Sequence, residues 1–175
     1  MPLALCLFAF VLYANEYSRL DDPTIIPFSD SGWGYTLDVP ADMHYVLFQV
    51  EHLAQFINED EELELIVDVN VVEEDIGVWD IYPMPPGYEG KLTESRDLTP
   101  EELLHHHAYK GHRADYIVPT PTAVAGISIL MLQVQWTVFT VTFTYPMDKA
   151  GILNLADKTL DSFILIPGTY YYNYP

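Results

Sequence analysis

The sequence predicts an α+β fold: an antiparallel β-sheet flanked by helices, with a C-terminal helix packed on the sheet. Three observations lead there. Glu62–Glu73 alternates, with Leu63, Leu65, Val67, Val69 and Val71 on one face and Glu62, Glu64, Asp68 and Asn70 on the other. That is a strand buried on one side and wet on the other, which favours antiparallel over fully covered parallel sheets. Ile127–Tyr145 (ISILMLQVQWTVFTVTFTY) carries no Gly, Pro or charge and is dense in β-branched and aromatic residues. After Pro146, Ile152, Leu155, Ala156, Leu160 and Phe163 fall on one helical stripe.

Bulk composition narrows the function classes. At 175 residues, half of them hydrophobic, the chain suits a single packed domain. The 26 acids and 7 bases give a formal charge of −19. Such a surface repels phosphate backbones and anionic lipid heads, which argues against nucleic-acid partners and polybasic membrane docking. It serves solubility first, and it also suits a basic partner. One cysteine, Cys6, excludes an internal disulfide framework and a cysteine-based zinc site.

Leu3–Ala14 (LALCLFAFVLYA) is an apolar run without charge. It is too short for the ~20 residues of a membrane span and fits the core of a signal peptide, with Ala14 as the small residue before cleavage. No Lys or Arg precedes it; a buried N-terminal strand or helix is the other reading. The chain thus divides into a leader at 1–14, a linker at 15–33 and one α+β domain at 34–175.

Within Asn15–Gly34, Asp21-Asp22-Pro23, Pro27 and Ser29-Asp30-Ser31-Gly32 mark a loop. Tyr35–Val39 reads as a strand stopped by Pro40, and Met43–Val50 as a second. In VEHLAQFI, Val50, Leu53, Ala54 and Ile57 recur at helical spacing, predicting a short helix before the acidic cluster Asn58–Glu62. Glu74–Asp97, with Pro83, Pro85, Pro86, Gly87 and Gly90, reads as irregular. A helix then starts at Thr99: a Thr N-cap, Pro100 at the first position and Glu102 completing a capping box. Gly111 is its expected terminator. A strand follows to Val118, and Pro119 and Pro121 make a turn.

Fully extended, Ile127–Tyr145 would span about 60 Å, several times a usual strand. Its apolar parity also shifts: Leu130, Leu132 and Val134 are even-numbered, Phe139, Val141, Phe143 and Tyr145 odd. The run must bend, bulge or reverse near Gln133–Gln135. The helix beyond Pro146 is expected to end at Pro167-Gly168, leaving the tyrosine-rich tail TYYYNYP to cover a sheet edge.

The candidate chemistry centres on His105-His106-His107, with His112 and Asp115 beyond. Adjacent helical residues point about 100° apart, so the triplet does not converge on one metal. Glu101/His105 and Glu102/His106 have usable spacing, but H-E-x-x-H is absent. The triplet reads as solvated or helix-end histidines, favourable near a helix C-terminus. The clusters Asn58–Glu62 and Glu73–Asp75 lack the Gly turn of a calcium loop and read as solvated edges. No nucleophile elbow, P-loop or dinucleotide fingerprint is present. No catalytic, cofactor-binding or metal-binding residue is assigned.

The order of "YTLDVP", an alternating strand, a capped helix leading into "GHRADYIV", long strands, and "YPMDKAGILNLADKTLDSF" with its Ser162-Phe163 pair resembles the PsbP-like/DcrB-like superfamily. The likeness covers Gly34–Ile166 and departs at Met43, where members commonly carry Trp. The resemblance implies a non-enzymatic protein. Members include extrinsic photosystem subunits, exported lipoproteins and chaperone-like adaptors for secreted effectors. The expectation is an exported, extracytoplasmic acidic binding or accessory protein with a protein partner and no integral membrane span, acting through a sheet face or the loop Asp75–Gly90. Two alternatives stand beside it: a cytoplasmic adaptor or chaperone-like protein for a secreted partner, and a small metal-dependent hydrolase using His105, His106 and His112.

Overall fold

A computed structural model describes residues 25–46, 52–60, 62–72, 90–120 and 123–168. The leader at 1–14, the second half of Met43–Val50, the cluster Glu73–Asp75, most of the loop Asp75–Gly90 and the tyrosine tail lie outside the described residues. The elements run β1 (Ile25–Asp30), β2 (Tyr35–Pro40), β3 (Met43–Val46), β4 (Leu53–Asn58), β5 (Glu64–Val71), β6 (Lys91–Asp97), α1 (Pro100–His106), β7 (Lys110–Pro119), β8 (Val124–Val134), β9 (Thr137–Pro146), α2 (Ile152–Asp161) and β10 (Ile164–Leu165). A three-stranded sheet has the order β1-β2-β10 and a seven-stranded sheet β3-β4-β5-β9-β8-β7-β6. Every strand pair is antiparallel. The α+β architecture with a C-terminal helix on the sheet is the one the sequence predicts.

The long apolar run is a hairpin. Val134 pairs with Thr137 and Leu132 with Phe139, so Gln135-Trp136 is a two-residue turn, made without glycine by Gln135 at φ 51°. Reversal explains the parity shift, because paired residues point to the same face. Leu130, Leu132, Phe139, Val141 and Phe143 join Tyr35, Leu37, Leu65, Val67, Leu160, Phe163 and Leu165 in the main core. Ile127, Ile129, Met131 and Val138 point the other way, into a second buried cluster with Val72 and Val118. A central strand buried on both faces reads as continuous apolar sequence.

Helix α2 buries Ile152, Ala156, Thr159 and Leu160 and packs against β2, β8 and β9. Fully burying a residue such as Leu160, 1% exposed, contributes about 1.5–3 kcal/mol. The capping box at Thr99 is present as predicted, with Pro100 in the first turn.

Several expectations are corrected. Of the helix expected over Val50–Ile57, the part from Leu53 on is instead strand β4: Ala54 and Phe56 are buried at period two, and pairing with β3 and β5 overrides a short helical coincidence. The stretch Asn15–Gly34, expected as a loop, contains β1, paired along its whole length with β2. As an edge strand β1 tolerates Pro27 and shows no clean alternation. The Asp30 carboxylate accepts the Gly32 and Trp33 amides at 2.8 and 2.9 Å and closes the turn into β2.

Lys91–Asp97, read as irregular, is strand β6. Its polar, exposed edge carries no hydrophobic signal. Helix α1 ends at His106, with His107 left-handed at φ 57°; Gly111 lies inside β7, where an added Cβ would sit 2.5 Å from Leu98. Helix α2 stops at Asp161, not at Pro167-Gly168. The Ser162 hydroxyl donates to the Thr159 carbonyl at 2.7 Å and accepts the Asp38 amide at 2.8 Å, and the chain then pairs with β2 as β10. Val71 turns outward, 44% exposed, while Val72 is buried.

Candidate functional site

Beyond the edge of α2 the inner face of the large sheet changes character. Register sets Arg113 opposite Leu130, Asp115 opposite Ser128, and Arg96 opposite Arg113. The apolar face of β8 and β9 thus continues across β7 and β6 as a charged one. Helix α2 presents Leu153, Asp157 and Asp161 to this side, and a groove runs between them and the outer strands.

One end of the groove, about 310 Å³, is lined by Glu94, Arg96, Glu102, Arg113, Asp115, Asp157 and Asp161. Five carboxylates surround two guanidiniums, so the end is net negative. Arg113, 12% exposed at its side chain, bonds Asp157 and lies 3.6 Å from Asp115 and 3.8 Å from Asp161. Asp157 and Asp161 sit one helical turn apart, which is why both reach it. Arg96 grips Glu102 with two parallel bonds of 2.7 and 2.9 Å and reaches Glu94 at 3.2 Å. The Arg96 guanidinium, helped by the Thr99 amide, holds the Glu102 carboxyl down at about 2.

The other end, about 340 Å³, combines Ile117, Tyr145, Met147 and Leu153 with Thr93 and Ser128. Ser128 and Tyr145 share a buried hydroxyl–hydroxyl bond of 3.0 Å, and burial pushes the Tyr145 phenol up. Gly126 admits this ring: a Cβ there would collide with Tyr145 and come within 2.8 Å of the Met147 sulfur.

The histidine triplet has a different role from the one read in the sequence. His105 Nε2 bonds the Asp161 carbonyl at 2.8 Å, His106 Nδ1 that of Phe163 at 2.6 Å, and His107 Nδ1 that of Leu165 at 2.8 Å. A carbonyl only accepts, so each of these nitrogens carries its proton. His106 is 3% exposed, which corrects its reading as a solvated histidine. Burial is the main influence on it and pulls its pKa below the ordinary value. The structure therefore joins α1 to β10 with these side chains and does not gather them with His112 into a metal centre.

His112 lies on β7 with its own partners, Asp97 at 3.0 Å from Nδ1 and Ser95 at 2.9 Å from Nε2. Asp115 faces the groove. Of the acidic clusters, Asn58 is buried and accepts the Leu63 amide at 2.9 Å, and Glu62 pairs with Lys149. Among the described residues no group of three or more His, Cys, Asp or Glu is placed to hold a metal ion, and no helix is long and apolar enough to cross a membrane.

Arg96, Arg113, Ser95 and Asp97 do not stand out in the sequence. A signal is present in the alternating charges of TESRD and HRAD, two short stretches whose pairing only the fold supplies.

No protein-family model matches the sequence, and no curated protein matches it. Solved structures do share the fold. A cyanobacterial PsbP (CyanoP) from Synechocystis sp. PCC 6803 superposes with a TM-score of 0.63 at 13% identity, over 82% of this chain and 94% of that one. A point mutant of the protein Mog1 gives 0.56 at 11%, over 81% and 96%. LpqN of Mycobacterium tuberculosis, described as involved in cell envelope biogenesis, gives 0.54 at 11%, over 82% and 91%. The fold is thus the PsbP-like one that the sequence resemblance implies.

Proposed function

We propose that this chain is a non-enzymatic binding or accessory protein, exported to an extracytoplasmic compartment, that holds a basic segment of a protein partner in the groove between α2 and β6–β7. The observation that carries the reading is the composition of the groove. Its charged end offers five carboxylates against two arginines, and its other end offers exposed Leu153 beside Ile117 and Met147. A Lys- or Arg-bearing segment with an adjacent apolar residue matches both ends, and the overall charge of −19 would steer it in. Export is supported by the apolar run Leu3–Ala14.

The test is an affinity pull-down with native protein and a Leu153→Asp/Asp157→Lys double variant that retains its melting temperature. A partner held by native protein, released by raised salt and absent from the variant supports the proposal. The same captured set on both proteins, or no specific capture, overturns it. Intact-mass measurement of the native N-terminus tests export: a mature chain still beginning at Met1 sinks that part.

A further inference from the structure

On the face of β6 and β7 opposite the groove, Ser95, His112 and Asp97 form one hydrogen-bonded line. Leu98 donates its amide to the Gly111 carbonyl at 3.0 Å, so Leu98 and Gly111 are a hydrogen-bonded cross-strand pair. Antiparallel alternation then makes Asp97/His112 and Ser95/Ala114 non-hydrogen-bonded pairs, the type whose side chains approach most closely. Ser95 and Asp97, two apart on one strand, share the face that carries His112.

The atoms are matched in a particular sense. An ionised carboxylate only accepts, so the 3.0 Å contact with Asp97 puts the proton on His112 Nδ1. In the neutral ring Nε2 is then the bare nitrogen, and the 2.9 Å contact with Ser95 is Oγ–H donating to it. The imidazole is 13% exposed and held in place, whereas Ser95 is open to solvent. The alternation also turns the Ser95 amide N–H away from β7, outward from the last strand of the sheet among the described residues. A hydroxyl facing a neutral imidazole, with its own outward amide beside it, is the arrangement of an activated nucleophile with one oxyanion donor.

We infer that Ser95 is a reactive serine that accepts an acyl group from small, unhindered esters, with His112 as its general base and Asp97 as the residue that fixes the imidazole tautomer. Ser95 Oγ bonds to the ester carbonyl carbon while its proton passes to His112 Nε2. The ester C–O bond breaks, and the leaving oxygen takes that proton. Water then adds to the acyl carbon and gives its proton to Nε2, Ser95 Oγ departs and takes the proton back, and the acid is released. This activity is independent of the groove and sets the β6–β7 face apart from the non-enzymatic role proposed for the groove itself. With Asp97 75% exposed and a single amide donor, turnover will be slow, and labelling is the better readout.

The experiment exposes full-length protein to a fluorophosphonate and maps the adduct by mass spectrometry, with melting temperatures taken alongside. The expected result is one adduct, on Ser95, absent from Ser95→Ala. It should form about 100-fold more slowly in His112→Gln, the low end of what a positioned general base supplies. If that variant does not fold, Asp97→Asn replaces it and should slow labelling at least about tenfold by freeing the tautomer. No adduct on native protein, an adduct elsewhere, or equal rates in folded variants overturns the inference.

Discussion

His106 Nδ1 donates to the carbonyl oxygen of Phe163 at 2.6 Å, joining two residues 57 positions apart in the chain. Both are buried, and the bond ties the end of α1 to the segment that becomes β10. Replacing His106 by Phe keeps a ring but removes the donor from a buried carbonyl, which should cost about 1–3 kcal/mol. Chemical denaturation measures it; an unchanged midpoint would refute a structural role for this ring.

The same residue fixes a pH dependence. Its pKa is lowered in the folded chain from the ordinary 6.5, by burial first and His105 second among the lowering influences, against the Phe163 carbonyl, Asp161 and Glu102. The unfolded chain therefore binds the extra proton more readily. This contribution to stability is complete above about 6.5 and falls as pH drops below it. Native protein should lose stability on moving from pH 7.5 to 5.5, and His106→Phe should show a smaller slope across that window.

Glu102 titrates lower. Its bonds to Arg96, and to the Thr99 amide, hold the carboxyl at about 2 against an ordinary 4.5. A depressed carboxylate contributes above its unfolded value and loses that contribution as pH falls from 4.5 towards 2. Because the side chain is about one-third exposed, water screens the pair and the effect is small. Acid titration of the melting temperature should be shallower between those values in Glu102→Gln than in native protein.

Gly126→Ala forces a Cβ into the Tyr145 ring and the Met147 sulfur. Displacing both from a packed site should cost about 1–3 kcal/mol and open the apolar end of the groove. Reduced partner capture by the folded variant, alongside a lower melting temperature, is the expected pair of results.

Gln135→Gly should stabilise. Gln135 turns the β8–β9 hairpin at φ 51°, where a side chain is strained, while its carbonyl bonds to Tyr109 and Gln133 survive substitution. The gain should be about 0.5–1 kcal/mol, read as a rise in melting temperature.

What the sequence makes legible is local. Thr99, Pro100 and Glu102 announce a helix start because capping is a three-residue event, and the β5 alternation survives because one face meets the core. The parity shift between Leu132 and Phe139 carries the hairpin. Strands β1 and β6 are illegible because edge strands have no buried face to imprint a pattern. Strand β4 reads as a helix because Leu53, Ala54 and Ile57 fall at helical spacing, while the apolar residues its core-facing side buries at period two are Ala54 and Phe56. The groove and the Ser95–His112–Asp97 line are hidden for a stronger reason: each depends on cross-strand register between stretches that no local signal pairs.

The carbonyls of Phe163 and Leu165 lie along one margin of β10, with that of Asp161 ahead of them at the end of α2, while the other margin faces β2, where the Ile166 amide donates to the Gly34 carbonyl. The imidazoles of His106 and His107 stand where the next strand of the small sheet would lie. An open strand margin is a template for domain swapping and fibril growth. Here side chains from α1 occupy the sites an incoming strand needs, so this margin is closed to polymerisation for as long as α1 stays docked.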